Sequence, residues 1–154
     1  MPRLPDVEGL PLVPVDDQMT TIVVTAAVIE RDGRLLVTRR LKGTHLEGYW
    51  EFPGGKCDAG EALDACLLRE LREELAVDAV VGDKLLTTCH DYPERRVELH
   101  FFTCELRGDP VPQMNQEMQW VPRQALASLK LPPADDELVA LLSRSPIDGR
   151  TAAR

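Results

Sequence analysis

The chain has 154 residues, 44% hydrophobic and 29% charged, ordinary usage for one soluble globular domain with a sizeable core. Its formal net charge of −8 disfavours non-specific binding to nucleic-acid polymers and to anionic membranes. No apolar run approaches membrane-spanning length and the N-terminus lacks a signal-peptide pattern, so a cytoplasmic protein with no membrane partner is expected. Pro2, Pro5, Pro11 and Pro14 interrupt regular structure and predict an extended arm over residues 1–20. Thr21 to Ile29 is rich in β-branched residues and alanine and reads as a buried strand. Asp32-Gly33 signals a hairpin turn, and Arg34 to Arg40 returns as a second strand. Leu41 to Gly48 reads as a loop. Trp50-Glu51-Phe52 is strand-like and leads into a glycine-rich bend, Pro53-Gly54-Gly55-Lys56.

A helix follows, with Leu67, Leu68, Leu71 and Leu75 as its apolar flank. On an adjoining face Glu70, Glu73 and Glu74 stand at i, i+3 and i+4, three carboxylates within one turn. Like charges at that spacing repel, and a divalent cation that wants several oxygen ligands offsets the repulsion. The arrangement reads as a magnesium site, and the preceding glycines let backbone approach a metal or phosphate closely.

Val80 to His90 and Arg95 to Leu106 read as two further strands joined around Tyr92-Pro93-Glu94. Met118 to Val121 is a short strand, and Pro122 to Leu126 starts a short helix. Asp135-Asp136-Glu137 opens a final helix striped by Leu138, Leu141 and Leu142. The order of elements argues an α+β fold, a three-layer αβα sandwich, with a domain over residues 21–143 and a loose tail over 144–154. Cys57, Cys66, Cys89 and Cys104 form no CxxC and no zinc set, so they read as buried or incidental thiols in a reducing compartment. His45, His90 and His100 are scattered; His45 lies in the loop facing the acidic helix, within reach of a phosphate.

The run from Gly55 to Val77, GKCDAGEALDACLLRELREELAV, resembles the Nudix box, the signature of the Nudix hydrolases, at Gly55, Glu61, Arg69, Glu70, Glu73 and Glu74. Val37 to Arg40, Trp50 to Lys56, Tyr92 to Arg95 and Leu131 to Asp135 are similar to the MutT-like branch, so the likeness covers roughly Thr21 to Ser143. That resemblance implies the Nudix fold with a mixed sheet. It also implies Mg2+-dependent hydrolysis, with Mn2+ able to substitute, of a nucleoside triphosphate to a monophosphate and pyrophosphate. An oxidised nucleotide such as 8-oxo-dGTP is the first expectation. The metal ligands it implies are the Gly54 carbonyl, Glu70, Glu73 and Glu74, with Arg69 and Glu61 as an orienting pair. Arg40 and Lys56 would meet phosphate, with Arg39 turned away along the strand. Phe52 and Tyr92, with Val23 and Thr25 on the facing strand, would wall the base. Phe52 reads equally as core.

Two positions depart from the family pattern. Alanine stands at Ala76 where the box usually has glycine, which predicts a helix end moved by one residue. Met114 stands where the branch often has an acid six residues before the tryptophan that matches Trp120, and Glu117 is the nearest acid for that catalytic role. Asp135 is the candidate for reading a base edge, or else a helix N-cap. Because an ionised carboxylate only accepts hydrogen bonds, cytosine nucleotides stay beside oxidised guanine nucleotides as substrates. An ADP-ribose-type Nudix hydrolase and a non-catalytic nucleotide sensor are further alternatives; a sensor has no need to keep Glu61, Glu70, Glu73 and Glu74. The protein is expected to be a monomer or homodimer.

Overall fold

In the computed structural model, residues 20–144 are described. The proline-rich arm before Thr20 and the tail beyond Arg144 lie outside the described residues. Strand β1 (Thr20–Arg31) turns at Asp32-Gly33 into β2 (Arg34–Arg39). Both turn residues are left-handed, with φ of 55° and 78°, as a two-residue type I′ hairpin requires. A loop leads to β3 (Trp50–Glu51), which pairs antiparallel with β2. The Gly54–Lys56 segment, read as a bend, is instead a short strand, β4, antiparallel to β1 across Ala26 and Gly54. The two backbones come so close there that a Cβ on Gly54 would run into the Thr25 carbonyl, so glycine is what permits the pairing.

Helix α1 (Leu63–Leu75) follows, then β5 (Ala79–Tyr92), β6 (Arg95–Leu106), β7 (Met118–Pro122) and helix α2 (Asp136–Arg144). The short helix expected after Pro122 is a 3-10 turn over Arg123–Ser128, and a second 3-10 turn, Pro133–Asp135, runs into α2. The sheet order is β3-β2-β1-β6-β5, with β4 added to β1 and β7 to β2. β1 runs parallel to β6 and antiparallel to β2 and β4, so the sheet is mixed.

Successive strand residues face opposite sides. Ala27, Ile29 and Leu36 pack with Leu67, Leu71 and Leu75 of α1 on one side. Ala26, Val28, Leu35 and Val37 pack with Leu138 and Leu142 of α2 on the other. Three layers, αβα, result. Leu68 is only half-buried, and Cys66 takes its place in the buried face of α1.

The end of α1 differs from expectation in a simple way. The helix stops at Leu75 and Ala76 itself adopts the left-handed cap, φ 52° and ψ 40°, donating its N–H to the Arg72 carbonyl. A Cβ in that region costs about 1–2 kcal/mol. Ala76→Gly removes the clash and adds unfolded-chain entropy, so a net gain of about 1 kcal/mol is expected. Urea unfolding of the two proteins checks it as a higher midpoint at unchanged slope.

Candidate active site

A cavity of about 500 Å3 opens between β1, the β3–β4 segment, α1 and the turn before α2. That size suits a nucleotide-sized ligand. Its lining includes Glu70 and Glu74 of α1 and Gly54, Gly55 and Lys56 of β4. The Glu70 side chain lies so tightly over Gly55 that a Cβ there would strike its carboxylate. Tyr92, Pro132, Ala134 and Asp135 line the cavity as well. Arg40, Glu51, Phe52 and Arg95 also line the space.

Helix geometry sorts Arg69, Glu70, Glu73 and Glu74 of the box. Glu70 and Glu74, at i and i+4, stack toward the cavity, while Arg69 and Glu73 stack on the neighbouring stripe. Arg69 donates to Glu61 through two bonds, Nε to Oε2 at 2.8 Å and Nη2 to Oε1 at 2.9 Å. It also donates to Glu70 Oε2 at 2.9 Å and to the Lys56 carbonyl at 3.1 Å. Glu61 accepts a further bond from the Asp58 amide at 2.9 Å. The Arg69 guanidinium and that amide hold the Glu61 carboxyl down at about 2. Glu73 is exposed, 3.3 Å from Arg69, and does not line the cavity. The structure therefore brings two of the three box glutamates to the cavity, and the third, on the neighbouring stripe, stays outside it.

Burial, followed by repulsion from Glu51 and Glu70, pushes the Glu74 carboxyl up to about 8. Burial also raises Glu70. Carboxylates that resist ionisation because they are crowded and desolvated match a hard cation, which supplies the missing positive charge. Glu70 and Glu74 beside the close-approaching Gly54–Gly55 backbone are an all-oxygen donor set of that kind.

Glu51 was not anticipated. It projects into the cavity between buried Trp50 and Phe52, and Arg40 Nη1 donates to its Oε1 at 3.0 Å. Burial raises its pKa. An acid between two aromatic residues in a strand was the available signal. Arg95 at the cavity wall was likewise missed. Arg40 also donates Nε to the His45 carbonyl at 2.5 Å, tying β2 to the loop, and His45 packs edge-on against Tyr92. Arg39 turns away to Glu117, 2.6 Å distant, and to the Gly48 carbonyl. That ion pair leaves Glu117 exposed at the start of β7 and outside the cavity lining.

Val23 does not line the cavity, because the alternation of β1 puts Ile22 and Val24 there. Thr25 turns its hydroxyl to the α1 side, 3.3 Å from Cys66 Sγ. Phe52 serves both readings, since it is buried against Phe101 at a ring distance of 6.1 Å and lines the cavity. Asp135 is 5% exposed. Among the described residues no hydrogen bond or ion pair reaches its carboxyl group, so the helix-cap alternative has no bond behind it. Burial, then Glu51 and Asp136, push it up to about 7.

The cysteines also depart from expectation. Cys57 and Cys66 form a disulfide, their Cα atoms 5.3 Å apart, because α1 folds back over the end of β4. Cys89 and Cys104 are free, and burial pushes the Cys104 thiol up to about 12. No helix among the described residues is long and apolar enough to cross a membrane.

Comparison with known proteins gives the following. The NUDIX domain family matches residues 24–141. A CTP pyrophosphohydrolase of Escherichia coli (strain K12) is 33% identical over 135 residues, covering 84% of this chain and 100% of that one. An 8-oxo-dGTP diphosphatase of Haemophilus influenzae is 35% identical over 120 residues, covering 77% and 88%. The solution structure of the E. coli ORF135 protein superposes with a TM-score of 0.75 at 32% identity, covering 86% of this chain and 97% of that one.

Proposed function

Because the chain belongs to the Nudix domain family, we propose that it is a Mg2+-dependent nucleoside triphosphate pyrophosphohydrolase. Its assigned substrate is an oxidised or otherwise modified (d)NTP such as 8-oxo-dGTP, and its role is sanitation of the nucleotide pool. One observation carries the reading: a single cavity is lined both by desolvated, crowded glutamates and by a buried, unpartnered Asp135. The glutamates suit metal and phosphates, Asp135 a base edge.

Glu70, Glu74 and the Gly54 carbonyl would hold the metal. Held there, Mg2+ would supply positive charge against the phosphates and would make a nearby water more acidic. Arg40, Lys56 and Arg95 attract the triphosphate into the cavity. Glu61 fixes Arg69, and Arg69 fixes the Glu70 carboxylate. Glu74 takes the proton from the attacking water. It suits that task better than Glu117, which is exposed and held by Arg39.

A proton accounts for the pH behaviour of metal binding. Glu74 is protonated below about pH 8 in the metal-free protein. Mg2+ must displace that proton, so affinity is expected to rise by up to about tenfold per pH unit and to level off above pH 8. Calorimetry in buffers of different ionisation enthalpy reads the proton release directly. A pH-independent affinity between pH 6 and 8 contradicts this role for Glu74.

A cytosine triphosphate is the second reading. It is favoured by the pKa of Asp135 near 7, since a carboxyl group that holds its proton can donate as well as accept. The relative named CTP pyrophosphohydrolase supports it.

The deciding experiment compares kcat/KM for 8-oxo-dGTP, dGTP, CTP, dCTP and ADP-ribose with Mg2+, and identifies the products. Pyrophosphate plus a nucleoside monophosphate is expected, with no turnover after exhaustive chelation. Orthophosphate plus a diphosphate overturns the assignment.

A further inference from the structure

The Cys57–Cys66 disulfide stands apart from the cavity chemistry yet grips the segment that supports it. Cys57 ends the β4 turn, and Cys66 lies in α1. Between them runs the segment carrying Asp58 and Glu61, two of the acids that pair with Arg69. We propose that this pair is a reversible dithiol–disulfide site. Its oxidised form stiffens the 57–62 loop and thereby fixes the Glu61–Arg69–Glu70 arrangement.

Three features of the surroundings support exchange rather than a permanent bond. Cys57 is partly exposed whereas Cys66 is fully buried, so an incoming thiolate can reach one sulfur and expel the other. The reduced Cys66 thiol would already have partners, with Thr25 Oγ1 at 3.3 Å and the Gly55 carbonyl at 3.8 Å from its sulfur. Both states can therefore be accommodated without stranding a polar group. Finally, only noncovalent bonds hold the loop once the disulfide is open. Asp58 N–H to Glu61, Glu61 N–H to the Asp58 carbonyl and the pairing of Arg69 with Glu61 and Asp58 are among them.

The chemistry balances with a low-molecular-weight thiol such as glutathione. Its thiolate attacks Cys57 Sγ and forms a mixed disulfide, and Cys66 leaves as a thiolate and takes up a proton. A second glutathione attacks the glutathione sulfur of the mixed disulfide. Cys57 is released as a thiol, with oxidised glutathione as the product. Two electrons pass from glutathione to the protein, and the reverse sequence re-forms the bond.

The test uses the full chain equilibrated across ratios of reduced to oxidised glutathione, then alkylated and weighed intact. The expected result is a reversible change from four alkylated thiols to two, absent in Cys57→Ser. Hydrogen exchange of a 57–62 peptide should be at least about tenfold slower in the two-thiol form, the signature of a restrained segment. Mg2+ affinity, read by calorimetry, should be at least about threefold tighter in that form, below the 10- to 100-fold typical when a supporting residue is lost outright. Four alkylated thiols at the most oxidising ratio overturn the proposal. So does a disulfide that resists excess dithiothreitol in the folded protein. So does equal exchange in the two forms.

Cys57, Cys66 and Glu61 present ligand atoms within 4.8 Å of one another. Stoichiometric zinc that shields both thiols in the purified protein would therefore also overturn it, in favour of a metal site. The magnesium arm rests on the proposed function; the thiol count and the exchange rate do not. Absence of Mg2+ binding in both forms would refute that function, while the other two measurements still decide this inference.

Discussion

Glu74→Gln is expected to lower kcat by about 10²-fold or more, the low end for losing an acid–base group and equivalent to about 2.7 kcal/mol of barrier. The amide keeps the shape of the carboxyl group but can neither balance metal charge nor accept a proton from water. The fold should survive, and pH makes this separable. The Glu74 carboxyl is raised from 4.5 to about 8 in the folded protein, so the native state holds its proton more tightly than the unfolded chain does. Between those two values the unfolded state binds fewer protons, and stability falls as pH rises. The metal-free wild type should thus lose melting temperature from pH 5 to 8, and Glu74→Gln should lose less. A variant with near-normal kcat at saturating Mg2+ would show that the metal face has been misassigned.

Asp135→Asn is expected to shift the ratio of kcat/KM between guanine-type and cytosine-type triphosphates by about 5- to 150-fold, in favour of cytosine. The figure is the worth of a desolvated hydrogen bond, about 1–3 kcal/mol. An ionised Asp135 offers two acceptors, which match the N1–H and amino donors of guanine. A protonated Asp135, like an amide, offers one acceptor and one donor, which match the amino group and N3 of cytosine. The group ionises near pH 7. In the wild type the guanine-to-cytosine ratio should therefore climb as pH passes through 7, whereas in Asp135→Asn it should stay flat. Metal dependence should be unchanged, because Asp135 belongs to the turn before α2 and not to the α1 face that carries Glu70 and Glu74. Should Asp135→Asn and Asp135→Ala both keep the wild-type ratio and lose only thermal stability, base reading belongs to another residue.

Local patterns carried most of the architecture. The Asp32-Gly33 turn, the leucine spacing of α1 and the β5–β6 hairpin each declare themselves within a dozen residues. What stayed hidden depends on neighbours distant in sequence. β4 is three residues without a pattern, and it becomes a strand only because β1 lies alongside it. β1 is apolar on both faces, so its composition could not say whether Val23 or its neighbours Ile22 and Val24 face the cavity. The box fixes where its acids sit on the helix, yet not that Glu73 stays exposed beside the cavity rather than in it. Nor does it reveal that Arg39 neutralises Glu117 from an adjoining strand. The Cys57–Cys66 bond needed the return of α1 over β4, which no spacing rule supplies.

The parallel pairing of β1 with β6 bears on how the protein comes into being. Ten consecutive residue pairs, Thr20 with Arg95 through Ile29 with Cys104, join the beginning of the domain to its middle. A chain leaving the ribosome has made the residues of β2, α1 and β5 before the parallel partner of its first strand exists. Closing so large a loop precedes the contacts that reward it, so folding should be slow for a domain of this size. Until α1 packs against β1 and the β3–β4 segment, its acids remain in water, where their mutual repulsion is weak. The crowding that later tunes them comes partly from a residue made before the helix, Glu51 of β3, once the two pack together.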